Sequence, residues 1–240
     1  MITATQFCKT HSSFWRDVAP TMDLFVRRIN LGQYERDFPE MKAVTRPTRR
    51  GFINEISFSL FCENLRRGLR WPANDPTSNE IHHAVELVRS SAVDRGIDDY
   101  RRLGEPNLSE IADISEQVNR LMRNFTIGYP MGDVIAEPIF RGCGIIDTSK
   151  GDLLASSTLF EIKAGDRLFR SIDVRQLIIY AALNHVAKEF KVDKVGLFNP
   201  RVGIRIELDL DEVCIEISGK KSVDLLMEIA LVISSGQVSR

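Results

Sequence analysis

The sequence predicts an α/β protein, with a mixed central β-sheet flanked by helices and joined to a mainly helical N-terminal region. Three observations carry this. Residues 1–130 place apolar side chains at helical spacing. Residues 158–163 alternate between two faces, the pattern of a strand. From residue 51 onward the core elements fall in the order helix, strand, strand, helix, strand, strand, which suits helices packed on a sheet.

Taken in order, a first helix is expected over 12–30, capped by Ser12 or Ser13, with Phe14, Val18, Met22, Phe25, Val26 and Ile29 as its apolar stripe. Residues 31–49 contain Pro39 and Pro47 and read as loop. They end in a basic cluster with Arg49 and Arg50, a possible phosphate contact or simply a solvated loop. A second helix is expected over 51–69, burying Phe52, Ile56, Leu60, Phe61 and Leu65. Two prolines make 71–78 a loop, and helices follow over 78–95 and from Asn107 or Ser109 to 125. A turn at 129–132 leads into a strand at 139–146, a hairpin at 152–164 and a helix at 172–190. Strands at 194–199 and 204–208 flank a turn at 200–203, and helices at 209–217 and 222–234 close the chain. This gives a helical region, 1–130, holding a first core helix at about 50–69 and a helical insertion at about 78–128, and a sheet-bearing core, 131–240. The two form one compact unit.

Chemistry concentrates between Asp147 and Tyr180. On a strand, Leu159, Glu161 and Lys163 share one face, so Glu161 and Lys163 stand about 7 Å apart. A turn at 155–157 would fold Asp152 back beside Glu161. Two neighbouring carboxylates repel each other and call for a cation. Hard oxygen ligands suit Mg²⁺ or Mn²⁺. The Lys163 ammonium can orient an attacking water or neutralise charge developing on a phosphate. After Gly165, the next helix puts Gln176 and Tyr180 one turn apart on one face. Singly these residues are ordinary: Glu-x-Lys is common on solvated faces, and Asp152 after Gly151 reads as a turn residue. The ordered combination points to metal-dependent phosphodiester cleavage.

That combination resembles the PD-(D/E)xK nuclease superfamily, the restriction-endonuclease-like fold, over roughly residues 137–200. The Gln176-x-x-x-Tyr180 spacing is similar to its RecB-type branch. The resemblance implies Asp152 and Glu161 as metal ligands, the backbone carbonyl of Ile162 as a further ligand, and Lys163 as the catalytic lysine. It implies that Gln176 and Tyr180 position the nucleic acid strand or the active-site side chains. Asp147 is the alternative first carboxylate, because Gly144-Ile145-Ile146-Asp147 matches the RecB-like strand end, whereas Asp152-Leu153-Leu154 matches other branches. Relatives often carry a glutamate near the metal on the first core helix. Glu55 is the candidate and Glu63 its competitor; pairing with a nearby arginine is the plain alternative.

Arg167 and Arg170, on the loop leaving the Glu161 strand, can contact phosphate or pair with Asp166 and Asp173. The implied activity is an Mg²⁺-dependent deoxyribonuclease in which metal-activated water attacks in line, serving a bacterial defence, restriction or repair system. RNA as substrate, or a catalytically silent nuclease-fold subunit of a larger complex, are the alternatives.

Composition narrows the setting. The net charge is −1, so any DNA contact must come from a local patch or a partner. Four dispersed cysteines (Cys8, Cys62, Cys143, Cys214) argue against zinc and a disulfide scaffold. The four histidines make no metal spacing. No run of 18 apolar residues and no signal-peptide layout is seen, which fits a cytoplasmic protein without a membrane partner. There is no Walker A loop, so an ATPase would be supplied in trans. Homo-oligomerisation stays open.

Overall fold

A computed structural model of the protein describes residues 1–42, 45–94, 98–130 and 132–236. The chain enters through α1 (Ala4–Thr10), α2 (Ser12–Val18) and α3 (Met22–Asn30). The single helix expected over 12–30 is therefore two. Pro20 cannot continue α2, because it lacks the N–H an interior position must donate. His11, not Ser12 or Ser13, occupies the cap position of α2, without a side-chain cap bond.

A short strand, β1 (Glu35–Arg36), interrupts the stretch expected as loop. Helix α4 (Pro47–Arg66) then starts earlier than predicted, with Pro47 in its first turn. A proline tolerates that place because its missing N–H would be unpaired there anyway. Arg49 and Arg50 thus lie on a helix rather than a loop. Helices α5 (Ser78–Asp94) and α6 (Leu108–Ile127) follow, and Asn107 caps α6 in a reciprocal arrangement with Glu110. Arg95, the expected end of α5, and Met131, in the expected turn at 129–132, lie outside the described residues.

The rest of the chain builds the sheet. It comprises β2 (Val134–Ala136), β3 (Ile139–Phe140), β4 (Ser149–Lys150), β5 (Leu153–Ala155), β6 (Thr158–Ile162), α7 (Ser171–Ala187), β7 (Lys194–Asn199), β8 (Ile204–Asp209), α8 (Leu210–Ser218) and α9 (Ser222–Ser235). The expected strand at 139–146 is only Ile139–Phe140, and it pairs with β4 in a separate ribbon. Gly144, at φ +55°, turns the chain where an added Cβ would lie 2.0 Å from the Ile233 carbonyl oxygen. The outer strand of the main sheet is instead β2, three residues long.

The main sheet has six strands in the order β1-β8-β7-β6-β5-β2. Only β6 and β7 run parallel; the other neighbours are antiparallel. Helices cover both faces, as expected. Leu153, Phe160 and Phe198 pack with Phe52, Ile56, Phe61 and Phe125 of α4 and α6 on one face. Leu154, Leu159 and Leu197 pack with Leu177 and Ile178 of α7 on the other. Alternation along β6 therefore sends Phe160 towards α4 and α6, and Glu161 towards α7. Phe160 lies opposite Gly196 in the ladder, where an added Cβ would come within 2.2 Å of its ring. Among the described residues no helix is long and apolar enough to cross a membrane.

Candidate functional site

The β5–β6 hairpin turns at Ser156, whose φ of +53° reverses the chain in two residues. Its ladder pairs Leu153 with Phe160, so the next residues outward, Asp152 and Glu161, are neighbours. Asp152 replaces a ladder partner with its side chain: Oδ2 accepts the Ile162 N–H at 2.7 Å.

Glu161 is 3% exposed. Its Oε1 accepts from Lys163 Nζ at 2.5 Å, and Oε2 is buried without a hydrogen-bond partner among the described residues. Lys163 is held from two more sides, donating to Gln176 Oε1 at 2.9 Å and facing Asp173 Oδ1 at 3.9 Å. Its backbone N–H donates to the Phe198 carbonyl at 2.9 Å, fixing the end of β6 against β7.

Helix α7 brings the remaining groups. Asp173, in its first turn, accepts the Arg170 backbone N–H at 2.8 Å and both Nη groups of Arg167 at 2.7 and 3.0 Å. Gln176 reaches the other way, its Nε2 donating to Thr5 Oγ1 of α1 at 3.2 Å. Tyr180, one turn on, stacks on Phe140 with centroids 5.4 Å apart.

The electrostatics follow from burial. Loss of water, then the charge of Asp152, pushes the Glu161 carboxyl up to about 8, against the pull of Lys163. Burial raises Asp152 as well, opposed by Lys163 and the Ile162 N–H. Burial alone would lower the Lys163 ammonium, but Glu161 and Asp152 outweigh it and hold it above its ordinary value. Burial, with Glu161 and Asp152 behind it, raises the Tyr180 phenol.

Asp152, Glu161, Lys163, Gln176 and Tyr180, predicted as one site, are thus brought together, and Ile162 joins them through its N–H. Asp147 is exposed, and its carboxylate accepts the N–H of Thr148. Glu55 accepts from the Tyr100 hydroxyl at 3.2 Å. Among the described residues no three His, Cys, Asp or Glu side chains converge as a metal-holding group, so neither Asp147 nor Glu55 completes a triad with the hairpin pair. Arg49 grips Glu110, Arg50 pairs with Asp166, and Arg167 is forked onto Asp173, so these three expected phosphate contacts are engaged within the protein. Arg170 remains exposed.

Asp173 and Thr5 belong to the site without having been predicted in it. Asp173 carried a signal, an acid in the first turn of a helix. Thr5 carried none, being 171 residues from its partner.

The donor set fits a hard divalent cation. It offers two adjacent carboxylates, one with a buried oxygen lacking a donor, and Mg²⁺ is commonly held by one or two carboxylates with waters and phosphate oxygens completing the shell. No protein-family model matches the chain, and no curated protein matches it.

Proposed function

We propose that the chain is a metal-dependent nuclease with a restriction-endonuclease-like core, hydrolysing phosphodiester bonds in DNA. The observation that carries this reading is the run Asp152, Glu161, Lys163, Gln176, spread over a hairpin and the helix behind it: Lys163 bonds Glu161 and Gln176 at 2.5 and 2.9 Å, and Asp152 accepts the Ile162 N–H between them. Glu161 itself lies on β6, a strand flanked by one antiparallel and one parallel neighbour. Asp152 and Glu161 would hold Mg²⁺ or Mn²⁺. When bound, the cation supplies an activated water and neutralises charge on the phosphate. Lys163, kept protonated by its acidic neighbours, donates to the phosphate oxygen on which charge builds. Gln176 and Asp173 keep that ammonium from turning away. A role in bacterial defence, restriction or repair, with any ATPase supplied by another subunit, accords with the absence of a nucleotide-binding loop.

One observation favours a second reading, a catalytically silent member of a larger complex: Glu161 is buried, and Thr5 of the first helix already accepts from the Gln176 amide. Incubating purified protein with plasmid, linear duplex, single-stranded DNA and single-stranded RNA in Mg²⁺ or Mn²⁺ separates the two. The nuclease reading expects cleavage that Glu161→Ala and Lys163→Ala both abolish. Cleavage surviving in both variants, or absent from the wild type, overturns it.

A further inference from the structure

A third acid extends the hairpin pair. The Glu137 N–H donates to the Asp152 carbonyl at 3.0 Å, continuing the register that pairs Ala136 with Leu153. Glu137, Asp152 and Glu161 therefore follow one another across adjacent strands, which lie about 4.8 Å apart. Lys163 closes the inner end of this row. At the outer end the Glu137 carboxylate contacts Arg66, the last residue of α4, and Lys150 of β4 at 3.4 Å. Glu63 is a second, looser neighbour of Arg66 at 3.8 Å.

Two features set this group apart from an ordinary surface ion pair. Glu137 has φ +52°, a left-handed conformation that is strained for a residue with a Cβ. The two cations also keep much of their surface in solvent, with side chains 52% and 62% exposed. The guanidinium fork of Arg66 matches the oxygens of a phosphate, and Lys150 adds a point charge.

We propose that Arg66 and Lys150 bind the backbone phosphate next to the one cleaved, and that Glu137 holds them in place until the polynucleotide displaces it. This rests on the nuclease reading. A strand laid across the acidic row would meet a cation at each end, Lys163 at one and the Arg66–Lys150 pair at the other. A phosphate must out-compete Glu137, so that carboxylate weakens binding while it positions the cations.

The test uses the Glu161→Gln chain, to prevent cleavage, and fluorescent single-stranded and duplex oligonucleotides titrated at several salt concentrations. Adding Arg66→Gln and Lys150→Gln should weaken binding and lower the slope of log affinity against log salt by about 2 on duplex. Adding Glu137→Gln instead should tighten binding. A mere surface staple predicts no change in affinity for either variant, and that result overturns the proposal while leaving the nuclease reading intact. Failure of the Glu161→Gln chain to bind any oligonucleotide overturns both. Matching melting temperatures confirm that the variants are folded.

Discussion

The side-chain amide of Gln176 donates to the hydroxyl of Thr5 at 3.2 Å, joining α7 to the first helix of the chain. This bond decides which end of the amide meets Lys163. An ammonium has only hydrogens to offer, so it needs the amide oxygen, and the NH₂ group must then find an acceptor elsewhere. Thr5 is that acceptor. Thr5→Val should therefore lower turnover about tenfold, the scale of losing a group that orients an active-site side chain, while KM and melting temperature stay nearly constant. Thr5→Ser should restore turnover. In a Gln176→Ala background Thr5→Val should add nothing, which steady-state kinetics on the four proteins would show.

A buried charge network holds the loop that leaves the site. Arg201 is 1% exposed; its Nη1 bonds both Asp113 oxygens at 2.6 and 2.8 Å, and its Nε bonds Asp166 at 2.7 Å. Asn199, fully buried beside it, donates to the Gly165 and Arg167 carbonyls at 2.8 and 2.9 Å. Asp113→Ala would leave the buried guanidinium with Asp166 alone and should cost about 3 kcal/mol in urea unfolding. The paired change Asp113→Leu with Arg201→Met removes both charges and should lose much less. Equal losses in both proteins would show that packing, not charge, makes the network matter.

The acidic limb of stability has a traceable contributor. Glu80 accepts the Thr77 backbone N–H and hydroxyl, each at 2.9 Å, and Arg67 at 2.7 Å. The Thr77 N–H first, then Arg67, brings its carboxyl down from an ordinary 4.5 to about 2. A carboxyl lowered in the folded state stabilises fully above its unfolded value and loses that contribution as pH falls through the folded one. The gain is thus present above about 4.5 and gone near 2. The side chain is 36% exposed, so the effect is that of a surface pair, under about 1 kcal/mol. Melting temperatures followed from pH 6 to pH 2 should fall less steeply in Glu80→Gln than in the wild type.

Sequence reading succeeded where local chemistry sets the element. Asn107, one of the two starts expected, caps α6, and alternation from Thr158 announces β6. The nine-residue separation of Asp152 and Glu161 folds back across the two-residue turn that Ser156 permits. It failed where tertiary contacts set the element. Helix α1 is seven residues long, too short to persist alone, and stands because Phe7 and Cys8 are fully buried. Strand β2 spans three residues, too few for a period of two to register, while the apolar run from Ile139 promised a longer strand that Gly142 and Gly144 break. Arg50 looked like a phosphate contact or a solvated residue because the sequence does not show Asp166 folding onto it, whereas the pairing of Arg167 with Asp173 was one of the two outcomes its loop allowed.

The cation is the part of the nuclease reading that can be tested without a substrate. Two adjacent carboxylates, Glu161 buried and Asp152 partly so, disfavour their own ionisation, and a divalent ion between them would relieve that cost. A ligand at a hundred times its dissociation constant stabilises a fold by about 2.7 kcal/mol. For a chain of this size that is worth roughly 2–4 °C per kcal/mol, an easily read rise in melting temperature. Mn²⁺ or Mg²⁺ should produce the rise in the wild type and in Asp147→Asn and Glu55→Gln, whose carboxylates form no metal-holding group with the pair among the described residues. Asp152→Asn and Glu161→Gln should melt at the same temperature with or without metal. The reverse pattern, with the response lost in Asp147→Asn or Glu55→Gln and kept in the hairpin variants, would place the ion on other acids and remove the basis for the mechanism. Glu161 carries the sharper expectation of the two hairpin acids, since its Oε2 has no donor to satisfy it.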